Sequence, residues 1–170
     1  MTTCRPQPMP NRLSPWTSHH ESIHLQTAGC LQFMDLTDRV REAVRRSGVW
    51  MGVVNLQTRH TTTAVVINEN EPLLLEDMKT VLEQMAPRNR AYCHDNHAAR
   101  PGIPPDEYTN GHAHCKALFL KTSETLNVVN GSVQLGPWQR IFFLELDCAR
   151  SRTLSLLVLG LEQSGDSLPR

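Results

Sequence analysis

The last third of the chain most constrains what it can fold into. From Leu126 to Leu159 the residues run in short β-rich stretches split by turn signals. Leu126-Asn127-Val128-Val129 leads into Asn130-Gly131, and Ser132-Val133-Gln134-Leu135 leads away. Asn-Gly accepts the positive φ angles of a two-residue hairpin turn, so these flanks predict neighbouring antiparallel strands. After Gly136-Pro137 come a strand from Trp138 to Leu146 and a last strand from Arg152 to Leu159. Consecutive strands without crossover helices exclude a repeating βαβ fold.

Upstream, helices and strands are separate blocks. Ser22–Gln26 and Cys30–Asp35 alternate in polarity, with Thr27-Ala28-Gly29 between them, and predict a hairpin. His24 then falls opposite Ile23 and Leu25, on a solvated face. Leu36, Val40 and Val44 recur at helical spacing beneath an arginine-rich outer face, with Asp35 or Thr37 to cap the start and Gly48 to end it. Val49–Leu56 and Thr61–Asn68 read as strands. Pro72 suits the first turn of a second helix, in which Leu74, Met78, Val81, Leu82 and Met85 form the expected buried stripe. Pro87 to Asn110 is a polar, proline-bearing loop of a length that is often functional. His112 to Lys121 fits a short helix slightly better than a strand.

These blocks predict an α+β fold: largely antiparallel sheets packed with two or three helices in a single compact domain over 21–163. Residues 1–20, which hold four prolines, are expected to be a mobile arm, and 164–170 a tail. Seventeen basic residues balance 17 acidic ones, which argues against a nucleic-acid or anionic-membrane binder. No stretch is long and apolar enough for a membrane span, and Met1–Pro10 has no signal-like apolar core. Five widely spaced cysteines without a C-x-x-C pair suit a reduced, cytoplasmic protein.

Chemistry is carried by three histidines in polar or turn-rich settings: His60 before a threonine-rich strand, His94 in the long loop, and His114 after Asn110-Gly111-His112-Ala113. Three imidazoles plus an open position make a common catalytic zinc set, and a nitrogen-rich set suits zinc better than magnesium. On a helix His112 and His114 diverge by about 200°, so only one of the two would face such a site. Glu69, Glu71, Asp77, Asp95 and Asp106 are the nearby carboxylates, with Glu69 and Asp77 the candidates for a catalytic proton carrier. Trp138 could stack against a ligand ring, and Gln139 and Lys116 could orient a small phosphorylated substrate. No P-loop, dinucleotide fingerprint, nucleophile elbow or H-E-x-x-H motif is present.

Taken in order, His60-Thr61-Thr62-Thr63-Ala64, Asn68-Glu69-Asn70-Glu71, Asp77-Met78, His94-Asp95, Asn110-Gly111-His112-Ala113-His114-Cys115-Lys116 and Gly131-x4-Gly136-x-Trp138-Gln139 resemble the YjbQ-like family, also called secondary thiamine-phosphate synthase. The likeness runs from about Ser22 to Leu161. It implies a homotrimer, a metal-associated site at His60, His94 and His114, and a synthase activity. That activity joins a pyrimidine diphosphate to a thiazole phosphate and releases diphosphate. The residues themselves offer a histidine site rather than the oxygen ligands that Mg²⁺-assisted diphosphate chemistry prefers. Two readings therefore stand: a metal-associated small-molecule enzyme, and a non-catalytic trimeric protein that binds a metal or ligand.

Overall fold

Every strand pairing among the described residues is antiparallel, as the hairpin-rich sequence predicts. A computed structural model describes residues 16–104 and 107–163. In chain order the elements are β1 (Trp16–Gln26), β2 (Gln32–Asp35), α1 (Thr37–Ser47), β3 (Val49–Thr58), β4 (Thr63–Asn68), α2 (Pro72–Met85), α3 (Gly111–Ala117), β5 (Ser123–Val129), β6 (Ser132–Val133), β7 (Arg140–Glu145) and β8 (Ser151–Glu162). They build a five-stranded sheet, β1-β8-β3-β5-β6, and a three-stranded sheet, β2-β7-β4.

The main core lies between these sheets. Period-two alternation sends Leu154, Leu156 and Val158 of β8 inward to meet Val65 of β4 and Ile141 and Phe143 of β7. α1 adds Val40 and Val44, both fully buried, each contributing about 1.5–3 kcal/mol. Asp35 Oδ1 accepts the Thr37 N–H at 2.9 Å, and Gly48 ends α1 at φ +72°. The other face of the smaller sheet, with Ala64 and Leu144, is covered by Leu82 of α2 and Ala113 of α3. That second layer carries the helix on which His112 and His114 stand.

Three expectations change. Ser22–Gln26 and Cys30–Asp35 do not form a hairpin: β1 pairs with β8 over eleven residues, whereas β2 joins β7 in the other sheet. The long β8 offers β1 many more ladder bonds than the four-residue β2 could. The stripe of α2 is buried only at Leu82, and Val81 and Met85 face outward because the narrow sheet below reaches one side of the helix. Residues 16–20 belong to β1 rather than to an arm. Residues 1–15, most of the expected arm, and 164–170, the expected tail, lie outside the described residues. Among the described residues no helix is long and apolar enough to cross a membrane.

Gly52 of β3 and Gly160 of β8 are directly paired, and the strands cross there too closely for a side chain. A Cβ on Gly160 would lie 2.3 Å from the Met51 carbonyl oxygen and 2.7 Å from Gly52 Cα. Both neighbours are backbone and cannot swing aside. Gly160→Ala is expected to lower unfolding free energy by about 2 kcal/mol or more, read from urea denaturation. An unchanged midpoint would show that the β3–β8 crossing has slack.

Candidate functional site

His94 and His114 come together, and the local chain explains how. The long loop after Pro87 folds into two short 3₁₀ turns, Cys93–Asp95 and His97–Ala99. Asp95 Oδ1 accepts the Gly111 N–H at 2.8 Å and so docks the first turn onto the start of α3. Gly111 is required there: a Cβ would meet Tyr92 Cβ at 2.5 Å. One helical turn further on, the His114 ring meets the His94 ring with centroids 4.7 Å apart and planes at 64°. His94 Nε2 is buried without a hydrogen-bond partner among the described residues. Burial, followed by repulsion from His94, pushes the His114 pKa below its usual value.

The helical geometry of α3 settles the divergence of its histidines. His112 points into the second core layer and is 1% exposed. Its Nδ1 lies 3.3 Å from Lys116 Nζ, one turn along the same helix. Lys116 is 0% exposed; its ammonium donates to the Ala86 carbonyl at 2.6 Å and pairs with Glu83 at 3.0 Å. Lys116 is therefore an internal strut between α3 and the end of α2, with no surface to offer a substrate in this chain. Burial works against the Glu83 carboxylate, but the Arg88 N–H and Lys116 outweigh it and hold its pKa low. Burial, then the Lys116 charge, depresses the His112 pKa.

His60 stands in a different network. Its Nε2 accepts the Thr153 backbone N–H at 3.0 Å. Beside it, Arg152 grips Glu145 with Nε at 2.6 Å and Nη2 at 2.7 Å, and Nη2 also reaches Thr62 Oγ1 at 3.1 Å. Thr27 Oγ1 and the Asp147 N–H donate to the same carboxylate. Arg152 is 6% exposed and Glu145 0%, so the pair is desolvated and joined by two charge-assisted bonds. Burial, followed by Arg152, lowers the His60 pKa.

The remaining candidates lie apart from the paired rings. Glu69 lines an open cleft of about 380 Å³ with Asn70, Glu71, Pro137, Trp138 and Arg140. Trp138 is 71% exposed at its rim, and Gln139 Oε1 accepts the Gly136 N–H at 2.8 Å, bracing the Gly136–Trp138 loop. Glu71 is committed to capping α2, accepting from the Leu73 and Leu74 N–H groups. Asp77 is on the exposed side of α2, and Asp106 lies outside the described residues. Among the described residues no three or more histidine, cysteine, aspartate or glutamate side chains gather as a metal-holding group. Two rings meet at His94 and His114, and His60 does not supply a third among the described residues of the same chain.

Glu145 and Arg152 were missed in the sequence, although a signal exists. Glu145 interrupts an apolar strand, and two acids, Glu145 and Asp147, face two arginines, Arg150 and Arg152, across the turn that joins two core strands. Charges at inward positions of such strands need partners. Arg150 also pairs with Asp147 at 2.6 Å and lies over the Tyr108 ring at 4.3 Å.

Two facing antiparallel sheets, with a histidine pair where a loop meets a short helix, define an α+β protein whose site sits on the helical side. The chain belongs to the UPF0047 protein YjbQ-like family, whose model matches residues 21–161. A UPF0047 protein of Methanothermobacter thermautotrophicus is 36% identical over 143 residues, covering 82% of this chain and 91% of the relative. One from Archaeoglobus fulgidus is 38% identical over 137 residues, covering 81% and 98%. A crystal structure of a YbjQ-like protein of unknown function from Sulfolobus solfataricus superposes with a TM-score of 0.76 at 31% identity, covering 86% of this chain and 99% of that one. A hypothetical protein from Aeropyrum pernix gives 0.73 at 33% identity, covering 84% and 98%.

Two outcomes follow for stability. Glu145→Gln leaves Arg152 buried without its counter-charge, and is expected to cost about 3–5 kcal/mol in chemical denaturation. A loss under about 1 kcal/mol would show the pair to be dispensable. His60, His112 and His114 all have folded pKa values below the unfolded one, so the unfolded chain binds more protons. Their contribution is present above about pH 6.5 and is lost as pH falls through the folded values. Denaturation midpoints of metal-free protein should drop from about pH 7.5 to 5.5; a flat profile would contradict the burial of these rings.

Proposed function

We propose that this chain is a metal-associated small-molecule enzyme resembling secondary thiamine-phosphate synthase, working in the cytoplasm as a homotrimer. The single observation that carries the reading is the His94–His114 pair, with His94 Nε2 buried and unpartnered among the described residues. Two adjoining imidazoles suit a borderline divalent ion such as Zn²⁺. When bound, such an ion would supply Lewis-acid polarisation of a phosphate oxygen. The remaining positions of the ion would fall to donors from another subunit or to the substrate. Asp95 fixes the approach of the two rings, and Lys116 holds α3 from inside. Trp138 offers an exposed ring face for a heteroaromatic substrate, with Glu69 beside it as the candidate proton carrier.

The second reading is a trimeric binding protein without turnover. Exposed Leu73, Val81 and Met85 on α2, and Leu118 and Phe119 directly after α3, give it support as subunit-packing surface. One variant separates the two. Metal content of purified protein is measured by elemental analysis, and turnover by diphosphate release, in the native chain and in His114→Ala. The enzyme reading expects near-stoichiometric metal in the native protein and loss of metal and turnover in the variant. The binding reading expects no turnover in either, with a lower melting temperature or smaller oligomer mass in the variant. A metal-free native protein whose turnover is unchanged in His114→Ala would overturn the metal-based mechanism.

A further inference from the structure

The ring of His60 is committed on one side only. The Thr153 N–H points at Nε2 from 3.0 Å, so that nitrogen must present its lone pair. A neutral imidazole that accepts at Nε2 carries its proton at Nδ1. Nδ1 makes no hydrogen bond among the described residues, and the His60 side chain is only half-buried, which leaves that nitrogen for a ligand.

The holding network leaves the ring little freedom. The His60 N–H donates to Thr58 Oγ1, and the Thr63 hydroxyl donates to the His60 carbonyl. Arg152, the neighbour of Thr153, bonds Thr62 and is itself locked by Glu145. Two consecutive residues of β8 thus grip the β3–β4 turn, one at the ring and one at the turn's threonine. Binding a metal through Nε2 would break the Thr153 bond, and binding through Nδ1 would require removing its proton.

We propose that His60 is a fixed, neutral hydrogen-bond donor that presents Nδ1–H to an anionic oxygen of the bound small molecule, and that it stands outside the ion-holding set. The proposal rests on the small-molecule reading above for its ligand but not for its geometry. Phosphate and diphosphate oxygens are the ligand class, because they accept well from a neutral N–H and need no proton from it. Arg152 is the positioning residue. Burial and the adjacent guanidinium, which lower the His60 pKa, work in the same direction by keeping the ring uncharged.

The test uses full-length protein labelled at its ring nitrogens. In metal-stripped protein at about pH 7.5, proton–nitrogen correlation spectra should show the His60 tautomer with its proton on Nδ1, assigned by its disappearance in His60→Asn. Added Zn²⁺ should shift the ring signals of His94 and His114 and leave those of His60 in place. Binding of inorganic diphosphate, measured by calorimetry, should weaken about ten-fold in His60→Ala and recover in His60→Asn, whose amide keeps an N–H donor. Metal content should be unchanged in both variants. A proton on Nε2, a zinc-induced shift at His60, or diphosphate affinity indifferent to position 60 would overturn the proposal. Should His60→Ala fail to fold, the native spectra and His60→Asn decide it. If Zn²⁺ shifts no ring at all, the metal reading fails, while the tautomer and diphosphate results still judge His60.

Discussion

The buried Arg152–Glu145 pair is the joint on which the architecture depends. Glu145 ends β7 in the smaller sheet and Arg152 is the second residue of β8 in the larger. Two further places where the chain passes from one sheet to the other meet at the same point: Thr27 follows β1, and Thr62 sits between β3 and β4. Each supplies a hydroxyl to the pair. A guanidinium and a carboxylate in bidentate contact satisfy many polar groups in a fixed plane, which a hydrophobic cluster cannot do for chain segments turning between sheets. The cost of desolvating the two charges is offset by the bidentate contact and the surrounding hydrogen bonds, and the result is one register for three crossings.

The site follows from that joint and from the layer above it. The β3–β4 turn carries His60, so its position is inherited from the clamp on Thr62 and Thr153. The smaller sheet, held in register by the same clamp, supplies Ala64 and Leu144 as the floor for α3. On that floor the helix turns His112 inward and His114 toward His94. Lys116, one turn below His112, is buried because its ammonium closes the backbone at Ala86, the cap of α2. A residue that reads in sequence as a phosphate-binding lysine thus does its work inside the fold, placing the helix that bears the histidine pair.

The outer surfaces are distributed unevenly. Polar alternation on β1 places His24 outside, whereas α2 leaves Leu73, Val81 and Met85 uncovered. Helical periodicity marks an apolar face but not what meets it, and within one chain the three-stranded sheet is too narrow to cover that face. Near-neutral charge on such a surface offers little repulsion between copies.

By itself the sequence determined the elements and their antiparallel character. Asn130-Gly131, Gly48, Pro72 and the spacing of Leu36, Val40 and Val44 act within a few residues, so local propensity could specify them. It also marked His94 and His114 as candidates and made a helix the better fit for the segment bearing His114. Tertiary structure alone decided which sheet β1 and β2 join, which side of α2 is covered, and whether Lys116 faces a ligand or the core. It alone separated His60 from the other two rings and drew Glu145 to Arg152. Those outcomes depend on ladder length, layer width and the pairing of buried charges, which are set by residues far apart in the chain and have no local period to betray them.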